Sequence, residues 1–470
     1  MAERTRSWLV LVLVGLALFL SHSLRISGAG GTGGGHLPPP VAVTAVAFAI
    51  APPQAELPPE TDVIPPEDEG EEGAETEEPR LFRPPAVDAG PGSIDGAIFP
   101  SSSVSTESLL EALPLPSVSF EGLNNTNNFT VFGARNHPPD TVGDVGPNHY
   151  VQMVNTLYRV FDKQGNALTP PRSLSSLWAP LGASSPCSTR NAGDPIVIYD
   201  PLADRWLLSQ FCLLQTPFNH QMIAISQTSD PTGAYFLYDF MMPNDKFPDY
   251  PKLGVWHDAY LMTDVQFAPP PGTGYEGTGA LAFDRVKMLQ GDPTASYIYF
   301  DLGPLDPGIG GVLPADLDGL VPPPAGSPAY FAGFRADEYG DPADALQIFE
   351  FKPDFIHPAS STFTERPESR LAVPSFDPRT PPTIRVVEQP PPATATAYLD
   401  ALSDRLMHRL AYRNFGDHES LVLNHTVNVG VDPSTTAGHQ AAVRYYELRR
   451  PLPAGAFSVT EAATFSPDSE

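Results

Sequence analysis

The stretch IVIYDPLADRWLLSQF at residues 196–211, followed by QMIAIS at 221–226 and AYFLYDF at 234–240, decides the fold prediction. Apolar and polar residues alternate within each segment, and Val, Ile, Tyr, Phe and Trp predominate, which is typical of β-strands. Pro, Asp and Gly stand between the segments and predict turns. Together the segments form two consecutive hairpins, which is a unit of four strands.

The same four-strand unit recurs along the chain. A second copy occupies residues 252–302, a weaker copy precedes the first at 143–166, and two more follow at 329–351 and 409–465. Self-similarity at a fixed period indicates a repeat architecture. The sequence therefore predicts that one supersecondary unit is used five times.

An aromatic residue that follows a turn marks the second predicted strand of successive units. Tyr150, Trp206 and Tyr260 are 56 and 54 residues apart, and Tyr330 follows 70 residues later, after a Pro- and Gly-rich insertion. Four-stranded units at roughly this period are typical of β-propeller blades, which stack because one small sheet cannot bury both faces alone. We predict an all-β fold, a β-propeller of four-stranded blades with five blade-like units. A β-sandwich with long loops is the alternative.

Residues 1–28 are predicted to form a secretory signal peptide. Arg4 and Arg6 give a positive start, and an unbroken apolar run covers residues 8–20. An uncleaved anchor is the alternative, because no clear small-residue cleavage site follows the run. This run and a second one at 41–51 are both shorter than the roughly 20 residues of a membrane-spanning helix. We expect a secreted, extracellular or cell-envelope-attached protein with no other membrane span.

Residues 29–115 are predicted to be a disordered linker rich in Gly, Pro and Glu. The run EDEGEEGAETEEP at 67–79 combines repelling charges with proline and offers few apolar groups to bury. Such a linker would hold the following domain away from a membrane or cell wall.

The predicted propeller domain covers residues 116–470. Its first segment, 116–133, contains the stretches SVSF and FTVFG, which we expect to add a strand to the last blade and close the ring. Residues 397–410 look helical, in contrast to the strand patterns around them.

Charge limits the choice of partners. The 470 residues include 27 Lys and Arg against 55 Asp and Glu, a net charge of −28. This balance argues against nucleic acid as a partner, because its phosphates would be repelled. It fits solubility or cation binding, and we expect a monomer.

Two cysteines and two tryptophans carry further predictions. Cys187 and Cys212 are the only cysteines, and in an exported protein such a pair is expected to form a disulfide. Two unrelated buried thiols are the alternative. Trp206 and Trp256 fit the blade core better than a sugar-stacking surface.

Aspartates recur just before the first predicted strand of several units. First strands line the central channel of a propeller, so these carboxylates would gather near one mouth of that channel. Clustered carboxylates suit Ca²⁺, which prefers oxygen ligands, or general acid/base chemistry if burial separates their pKa values. Capping of turn amides is the structural alternative. The predicted metal ligands are Asp144, Asp194, Asp249 and Asp404, with Asp316 and Asp318 in the comparable place of the fourth unit.

Glycoside hydrolysis would need two opposed carboxylates about 5 to 10 Å apart. Asp194 and Asp249 are the first choice for this pair. A site for acidic sugars would also need arginines to hold a carboxylate. Surface or inter-blade salt bridges are the alternative role of the four candidate arginines, Arg205, Arg405, Arg409 and Arg413.

Long phrases of the sequence carry a family resemblance. They include PPDTVGDVGPNHYVQMVN at 138–155, GDPIVIYDPLADRWLLSQF at 193–211, DYPKLGVWHDAY at 249–260 and RLMHRLAYRNFGDHESLVLNHTV at 405–427. In these phrases the chain resembles a group of exported bacterial β-propeller-type proteins of unassigned activity. The resemblance implies a secreted or surface propeller and supplies no catalytic residues. Similar proteins continue past the equivalent of residue 468, so a fragment, or a ring lacking one or two blades, is an open alternative.

These observations favour a secreted or cell-surface module that binds an extracellular protein or polysaccharide. The alternative is a secreted glycan-acting hydrolase or lyase that uses channel carboxylates, and a third hypothesis is a structural component of the cell envelope. Channel carboxylates with shifted pKa values would favour the enzyme, whereas an exposed aromatic patch on one propeller face would favour the binding module. The fold alone does not decide, because propellers serve all three roles.

Overall fold

The computed structural model describes residues 35–57, 116–136, 138–214, 218–269, 273–381, 385–388 and 398–466. The predicted signal peptide and residues 58–115 of the predicted linker lie outside the described residues. Strands make up 46% of the structure and helices 10%, so the predicted all-β class is confirmed.

Two N-terminal strands precede five four-stranded blades in the described part of the chain. The N-terminal strands are β1 (Val41–Thr44) and β2 (Ala47–Ala51). Blade 1 consists of β3 (Val142–Val145), β4 (His149–Val154), β5 (Leu157–Asp162) and β6 (Arg172–Ser173). Blade 2 consists of β7 (Gly193–Asp200), β8 (Arg205–Cys212), β9 (His220–Ser226) and β10 (Tyr235–Met241). Blade 3 consists of β11 (Phe247–Val255), β12 (Ala259–Ala268), β13 (Thr273–Asp284) and β14 (Ser296–Asp301).

The remaining strands complete the domain. Blade 4 consists of β15 (Leu313–Leu317), β16 (Ala329–Arg335), β17 (Ala345–Lys352) and β18 (Thr362–Glu365). Three short strands follow it: β19 (Leu371–Ala372), β20 (Arg385–Val387) and β21 (Leu399–Asp400). Blade 5 consists of β22 (Leu406–Asn414), β23 (His418–Asn428), β24 (Ala441–Pro451) and β25 (Ser458–Phe465).

Helices are few and short in the described residues. The α-helices are Asn125–Phe132, Leu174–Trp178 and Arg285–Gln290. The 3₁₀ helices are Gln54–Glu56, Ala179–Ser184, Asp337–Tyr339 and Pro358–Ser360. None of the helices described has the length and apolar character of a membrane span.

The repeating aromatic residue is confirmed as a marker of the blades. Tyr150, Trp206, Tyr260 and Tyr330 are each the second residue of the second strand of a blade. Three of them are buried to at least 99%, and Trp256, also predicted as core, is fully buried. Their apolar rings fill the space between sheets while their polar tips bond neighbouring elements, as when the Trp206 indole N–H donates to the Ser229 carbonyl at 3.2 Å.

The first strands of the blades lie side by side along the inside of the fold. β3 neighbours β7, β7 neighbours β11, and β11 neighbours β15. β15 pairs with β22 in parallel, with Ala315 opposite Leu410, so blades 4 and 5 merge into one nine-stranded sheet that includes β19. We refer to the space enclosed by β3, β7, β11, β15 and β22 as the channel. Blade 5 buries one face against blade 4 and exposes Val422, Val443 and other apolar residues on the other.

The predicted linker is wrong for residues 41–51, which are part of the folded domain. β1 pairs antiparallel with β14, and β2 pairs antiparallel with β10. Each therefore adds a fifth, outermost strand to a blade. The run contains alternating Val, Ala and Phe, a strand pattern whose outer-edge position leaves Ile50 about half exposed.

Two other local predictions are also wrong. Residues 125–132 form a helix rather than an extra strand, because the Asn124 side chain caps its first amides and Gly133, at φ 71°, ends it. Phe120, in the preceding segment, packs on Tyr150 of blade 1 with ring centroids 6.0 Å apart. Residues 397–410, expected to be helical, contain β21 and the start of β22, where burial between blades overrides local helix propensity.

The predicted disulfide is confirmed. Cys187 and Cys212 are bonded, with Cα atoms 5.9 Å apart. The bond ties the segment before blade 2 to the end of β8. Both cysteines are fully buried beside the Trp178 core of blades 1 and 2.

A buried ion pair joins blades 2 and 3. The Arg285 guanidinium donates to both carboxylate oxygens of Asp200 at 2.7 and 3.0 Å, and the Tyr260 hydroxyl donates to the same carboxylate at 2.9 Å. Asp200 is fully buried and Arg285 is 7% exposed. The pair therefore fixes how these two blades meet, since neither charge can be solvated alone.

Removal of the Asp200 charge should destabilise the domain. Asp200→Asn leaves the Arg285 charge buried without its partner, so we expect the free energy of unfolding to fall by about 3 to 5 kcal/mol. Asp204→Asn changes a carboxylate at the exposed hairpin of the same blade and should cost less than about 1 kcal/mol. Urea unfolding of both variants measures the difference, and equal losses would contradict the assigned role of the buried pair.

The pairing of β1 and β2 should be visible in amide hydrogen exchange. Peptides covering residues 41–51 are expected to exchange more slowly than the exposed loop at 431–437, because strand amides are hydrogen-bonded in the blades. Mass spectrometry of the full chain measures both. Exchange over 41–51 as fast as in that loop would show that these strands are not docked.

Candidate functional site

Three carboxylates meet where the inner strands of blades 1 to 3 begin. Asp140 lies two residues before β3, Asp194 is the second residue of β7, and Asp249 is the third residue of β11. The Asp140 and Asp194 carboxyl groups are hydrogen-bonded to each other, and the Asp249 charge acts on Asp194. We call Asp140, Asp194 and Asp249 the acidic triad. Each is partly buried and partly open to solvent.

One member of the acidic triad, Asp194, has a strongly raised pKa. Burial is the main cause of a pKa for Asp194 well above the ordinary value, and the nearby charges of Asp249 and Asp140 add to it. The Lys252 ammonium group acts in the opposite direction with a smaller effect. Asp194 is therefore suited to keep its proton at a pH where an ordinary aspartate has lost it.

The backbone is strained at Asp140, at Asp194 and at the residue that follows Asp249. Asp140, Asp194 and Tyr250, the residue after Asp249, have φ values of 40°, 45° and 52°. Non-glycine residues in this left-handed region cost about 1 to 3 kcal/mol each when the surrounding structure imposes the conformation, and they concentrate at functional sites. All three lie near the start of the first strand of successive blades, which indicates that they shape one functional region.

Irregular pairing accompanies the strain. The register between first and second strands shifts after Gly193 in blade 2, after Asp249 in blade 3 and after Met407 in blade 5. Such bulges re-aim side chains and are enriched beside active sites. Here they turn the carboxylates of blades 2 and 3 toward the same mouth of the channel.

Asn155 connects the parts of the acidic triad that come from different blades. Its side-chain oxygen accepts the Asp194 backbone N–H at 3.1 Å, and its amide nitrogen donates to the Pro138 carbonyl at 3.1 Å. Its own N–H donates to the Pro139 carbonyl at 2.8 Å. Asn155 is 3% exposed, so the segment before Asp140 and the start of β7 are held together by a buried amide.

Two cationic side chains, Lys252 and Arg405, lie at the Tyr250 ring beside the acidic triad. The Lys252 ammonium lies 3.5 Å from the centroid of the Tyr250 ring, and the Arg405 guanidinium lies 4.7 Å from the same centroid. Desolvation and the charges of Lys252 and Arg409 lower the pKa of His408, so this ring adds no positive charge. The mouth of the channel therefore offers carboxylates, an aromatic ring and positive charges within one region.

The other predicted metal ligands do not join this group. Asp144 lies four residues after Asp140, about 13 Å along an extended chain. Its carboxylate accepts the Tyr199 N–H of blade 2 at 2.7 Å, and burial raises its pKa. Asp404 binds the adjacent Arg405 guanidinium at 2.8 Å.

Asp316 and Asp318 lie with Asp144 toward the other mouth of the channel. Asp316 accepts the Val255 N–H of blade 3 at 2.9 Å, and burial raises its pKa to about 6. Asp144 and Asp316 thus hold neighbouring inner strands together through backbone amides. That role is close to the amide-capping alternative, although the amides belong to another blade rather than to a turn.

Calcium binding at the four predicted aspartates stays a prediction. Among the described residues, two groups place at least three side-chain ligand atoms within 4.8 Å of one another. One contains Cys187, whose sulfur is in the disulfide, with His220 and Asp239, and the other lies in blade 4. Neither group includes a predicted ligand.

Two of the four candidate arginines, Arg409 and Arg413, form inter-blade salt bridges. Arg205 donates to backbone carbonyls of its own hairpin. Arg409 of blade 5 pairs with Asp316 of blade 4 at 2.9 Å, and Arg413 pairs with Asp318 at 2.8 Å. These are inter-blade salt bridges, and only Arg405 lies beside the acidic triad.

Sequence reasoning identified Asp194 and Asp249 but missed Asp140, Asn155 and Tyr250. The signal for Asp140 was its distance from the repeating aromatic. Asp194 stands 12 residues before Trp206 and Asp249 stands 11 before Tyr260; Asp140 stands 10 before Tyr150, whereas the chosen Asp144 stands only 6 before it.

Comparisons with known proteins give a distant likeness. No protein-family model and no curated protein match the chain. A GH43_1 enzyme from Xanthomonas citri complexed with xylotriose aligns at 11% identity over 68% of this chain and 89% of that one, with a TM-score of 0.29. An α-L-arabinanase of Cellvibrio cellulosa aligns at 11% identity over 68% and 95%, with a TM-score of 0.24. A GH43 β-1,3-galactosidase aligns at 9% identity over 71% and 61%, with a TM-score of 0.26. The propeller assignment therefore rests on the strand pairing of this chain itself.

The raised pKa of Asp194 should make stability depend on pH. The folded protein holds this proton more tightly than an unfolded aspartate, whose pKa is about 3.9, so stability falls as pH rises from about 4 through the raised value. Asparagine cannot ionise, so Asp194→Asn removes the part of this loss of stability that the ionisation of Asp194 causes. Urea unfolding at pH 5 and pH 8 should show the variant gaining stability relative to wild type between the two pH values.

Asp292→Asn is the control for this measurement. Asp292 is exposed, and hydrogen bonds from Thr294 hold its pKa below the ordinary value. It is ionised in both folded and unfolded states between pH 5 and pH 8, so its substitution should shift stability equally at both. An equal shift for Asp194→Asn would mean that Asp194 ionises normally.

Proposed function

We propose that the protein is a secreted or cell-surface hydrolase that acts on a glycan at the mouth of its channel. The observation that carries the proposal is the acidic triad, in which buried Asp194 keeps a raised pKa beside Asp140 and Asp249. Hydrolysis of a glycosidic bond requires one carboxylic acid that donates a proton and one carboxylate that acts on the sugar or on water. Export is supported by the apolar N-terminal run and the two-cysteine disulfide.

Asp194 is suited to the role of general acid. Its proton would pass to the glycosidic oxygen as the bond to the anomeric carbon breaks. The hydroxyl of a water molecule would complete the new hemiacetal, and the remaining proton of that water would pass to the Asp249 carboxylate. Asp140, hydrogen-bonded to Asp194, favours the protonated form of its neighbour and orients it. A raised pKa keeps the acid loaded at the pH where it must act.

Asp249 is suited to the role of the ionised partner. Its carboxylate accepts the Tyr250 N–H at 2.8 Å, a bond that favours the charged form and fixes its direction. It comes from the neighbouring blade, and its charge acts on Asp194. A sugar bound at the mouth of the channel would therefore meet both carboxyl groups.

The binding-module hypothesis explains less of this geometry. A surface that only holds a glycan or protein has no need for a protonated carboxyl group beside two others, nor for left-handed backbone at three aligned positions. The positive charges of Lys252 and Arg405 beside the Tyr250 ring would serve either role.

Loss of the acid should remove hydrolysis selectively. Against a panel of polysaccharides and aryl glycosides, with release of reducing sugar or aglycone as readout, Asp194→Asn and Asp249→Asn should each lower kcat/KM by about 100-fold or more. In the wild type, kcat/KM should fall as pH rises through the raised pKa of Asp194, because the acid must be protonated.

Asp318→Asn is the matched control, because Asp318 is an aspartate of the other channel mouth that pairs with Arg413. It should keep wild-type activity. Glycan binding without hydrolysis by the wild type would favour the binding module, and unchanged activity in Asp194→Asn would refute the assignment of the acid.

A further inference from the structure

A second group of carboxylates lies in blade 4, in the loop that joins β16 to β17. Asp337, Glu338 and Asp344 place one ligand oxygen each within 4.8 Å of the others. None of them belongs to the acidic triad or lies on an inner strand. We call these three residues the blade 4 cluster.

Glu338 is the unusual member of the blade 4 cluster. It is only 3% exposed, and its Oε2 atom has no hydrogen-bond partner among the described residues. Buried carboxylate oxygens are ordinarily satisfied, because an unsatisfied one costs free energy. Burial raises the pKa of Glu338 to about 8. The oxygen is therefore positioned as if for a partner that the protein chain does not supply.

Two hydrogen bonds from backbone amides hold the Asp344 carboxylate in place. One of its carboxylate oxygens accepts the Asp337 N–H at 3.0 Å and the other accepts the Phe376 N–H at 2.8 Å. The second lone pair of each oxygen is left for another partner. Asp344 is buried whereas Asp337 is exposed, so the cluster runs from the interior to the surface and can be reached from solvent.

A fourth carboxylate adds negative charge to the surroundings of the blade 4 cluster. Asp377 adds its charge to both Glu338 and Asp344. The Arg379 guanidinium, on which the charges of Glu338 and Asp337 also act, is held by Asp377 in a two-point ion pair at 2.9 and 2.8 Å. Its hydrogen bonds are thus directed to a carboxylate outside the cluster.

We propose that the blade 4 cluster is a binding site for one divalent cation, with Ca²⁺ the best match. Hard cations take carboxylate oxygens, and Ca²⁺ accepts irregular sets of them completed by carbonyl groups and water, whereas Mg²⁺ demands a near-octahedral arrangement. Glu338 Oε2 gains the partner it lacks. Bound cation would fasten the loop at 337–344 to the segment around Phe376 and so stabilise blade 4.

The site is tested with Ca²⁺ itself on the purified full chain. After treatment with EDTA and its removal, the wild type should bind about one Ca²⁺ in titration calorimetry at the blade 4 cluster and should unfold at a higher temperature with Ca²⁺ than without. Glu338→Gln preserves the shape of the buried side chain and should weaken this binding by about 10-fold or more. Asp337→Asn, at the exposed end, should weaken it as well without disturbing the fold.

Two further variants locate the effect. Asp354→Asn changes an exposed aspartate of the same blade that caps Ile356 and His357, and it should respond to Ca²⁺ as the wild type does. Asp194→Asn should also keep the response, which separates this site from the acidic triad. Absence of any response in the wild type, or a response equally strong in Glu338→Gln and Asp337→Asn, would overturn the proposal.

Discussion

The structure depends on the packing of blades against one another. A four-stranded sheet on its own leaves both faces exposed, so the aromatic residues at the start of each second strand, such as Trp206 and Tyr260, must be covered by the next blade. Stacking of the blades places their first strands side by side. Whatever residues stand at the start of those strands are then brought together, and in blades 1 to 3 these are Asp140, Asp194 and Asp249.

That convergence is unfavourable for the folded state in two ways. Burial and mutual repulsion oppose the ionisation of Asp194, and left-handed backbone at Asp140, Asp194 and Tyr250 adds strain. The aromatic core between blades and the buried amide of Asn155 supply the stability that holds the arrangement. By contrast, Asp144 and Asp316 satisfy backbone amides of neighbouring strands and so contribute to the fold itself. The two kinds of channel aspartate have the same sequence appearance and opposite energetic roles.

Much of the architecture was predictable because it is local. Alternating strands, turns and the repeating aromatic specify five blades, and two cysteines in an exported chain specify their disulfide. The residues that were mispredicted depend on distant partners. β1 and β2 are strands because β14 and β10 present free edges 184 or more residues later in the chain. Leu410, at the end of the stretch expected to be helical, is extended because it pairs with β15 of blade 4. Asp140 could have been found by counting back from Tyr150, but its contact with Asp194 needs the fold, and so does the unsatisfied oxygen of Glu338.

The central claim is that Asp194 keeps a proton that an ordinary aspartate would lose. Infrared titration of the protonated carboxyl band, comparing the wild type with Asp194→Asn, measures this directly. We predict a carboxyl signal that persists well above pH 4 in the wild type and is missing from the variant. If wild type and variant lose the same carboxyl signals at the same pH, Asp194 is ionised like its neighbours and the proposed acid does not exist.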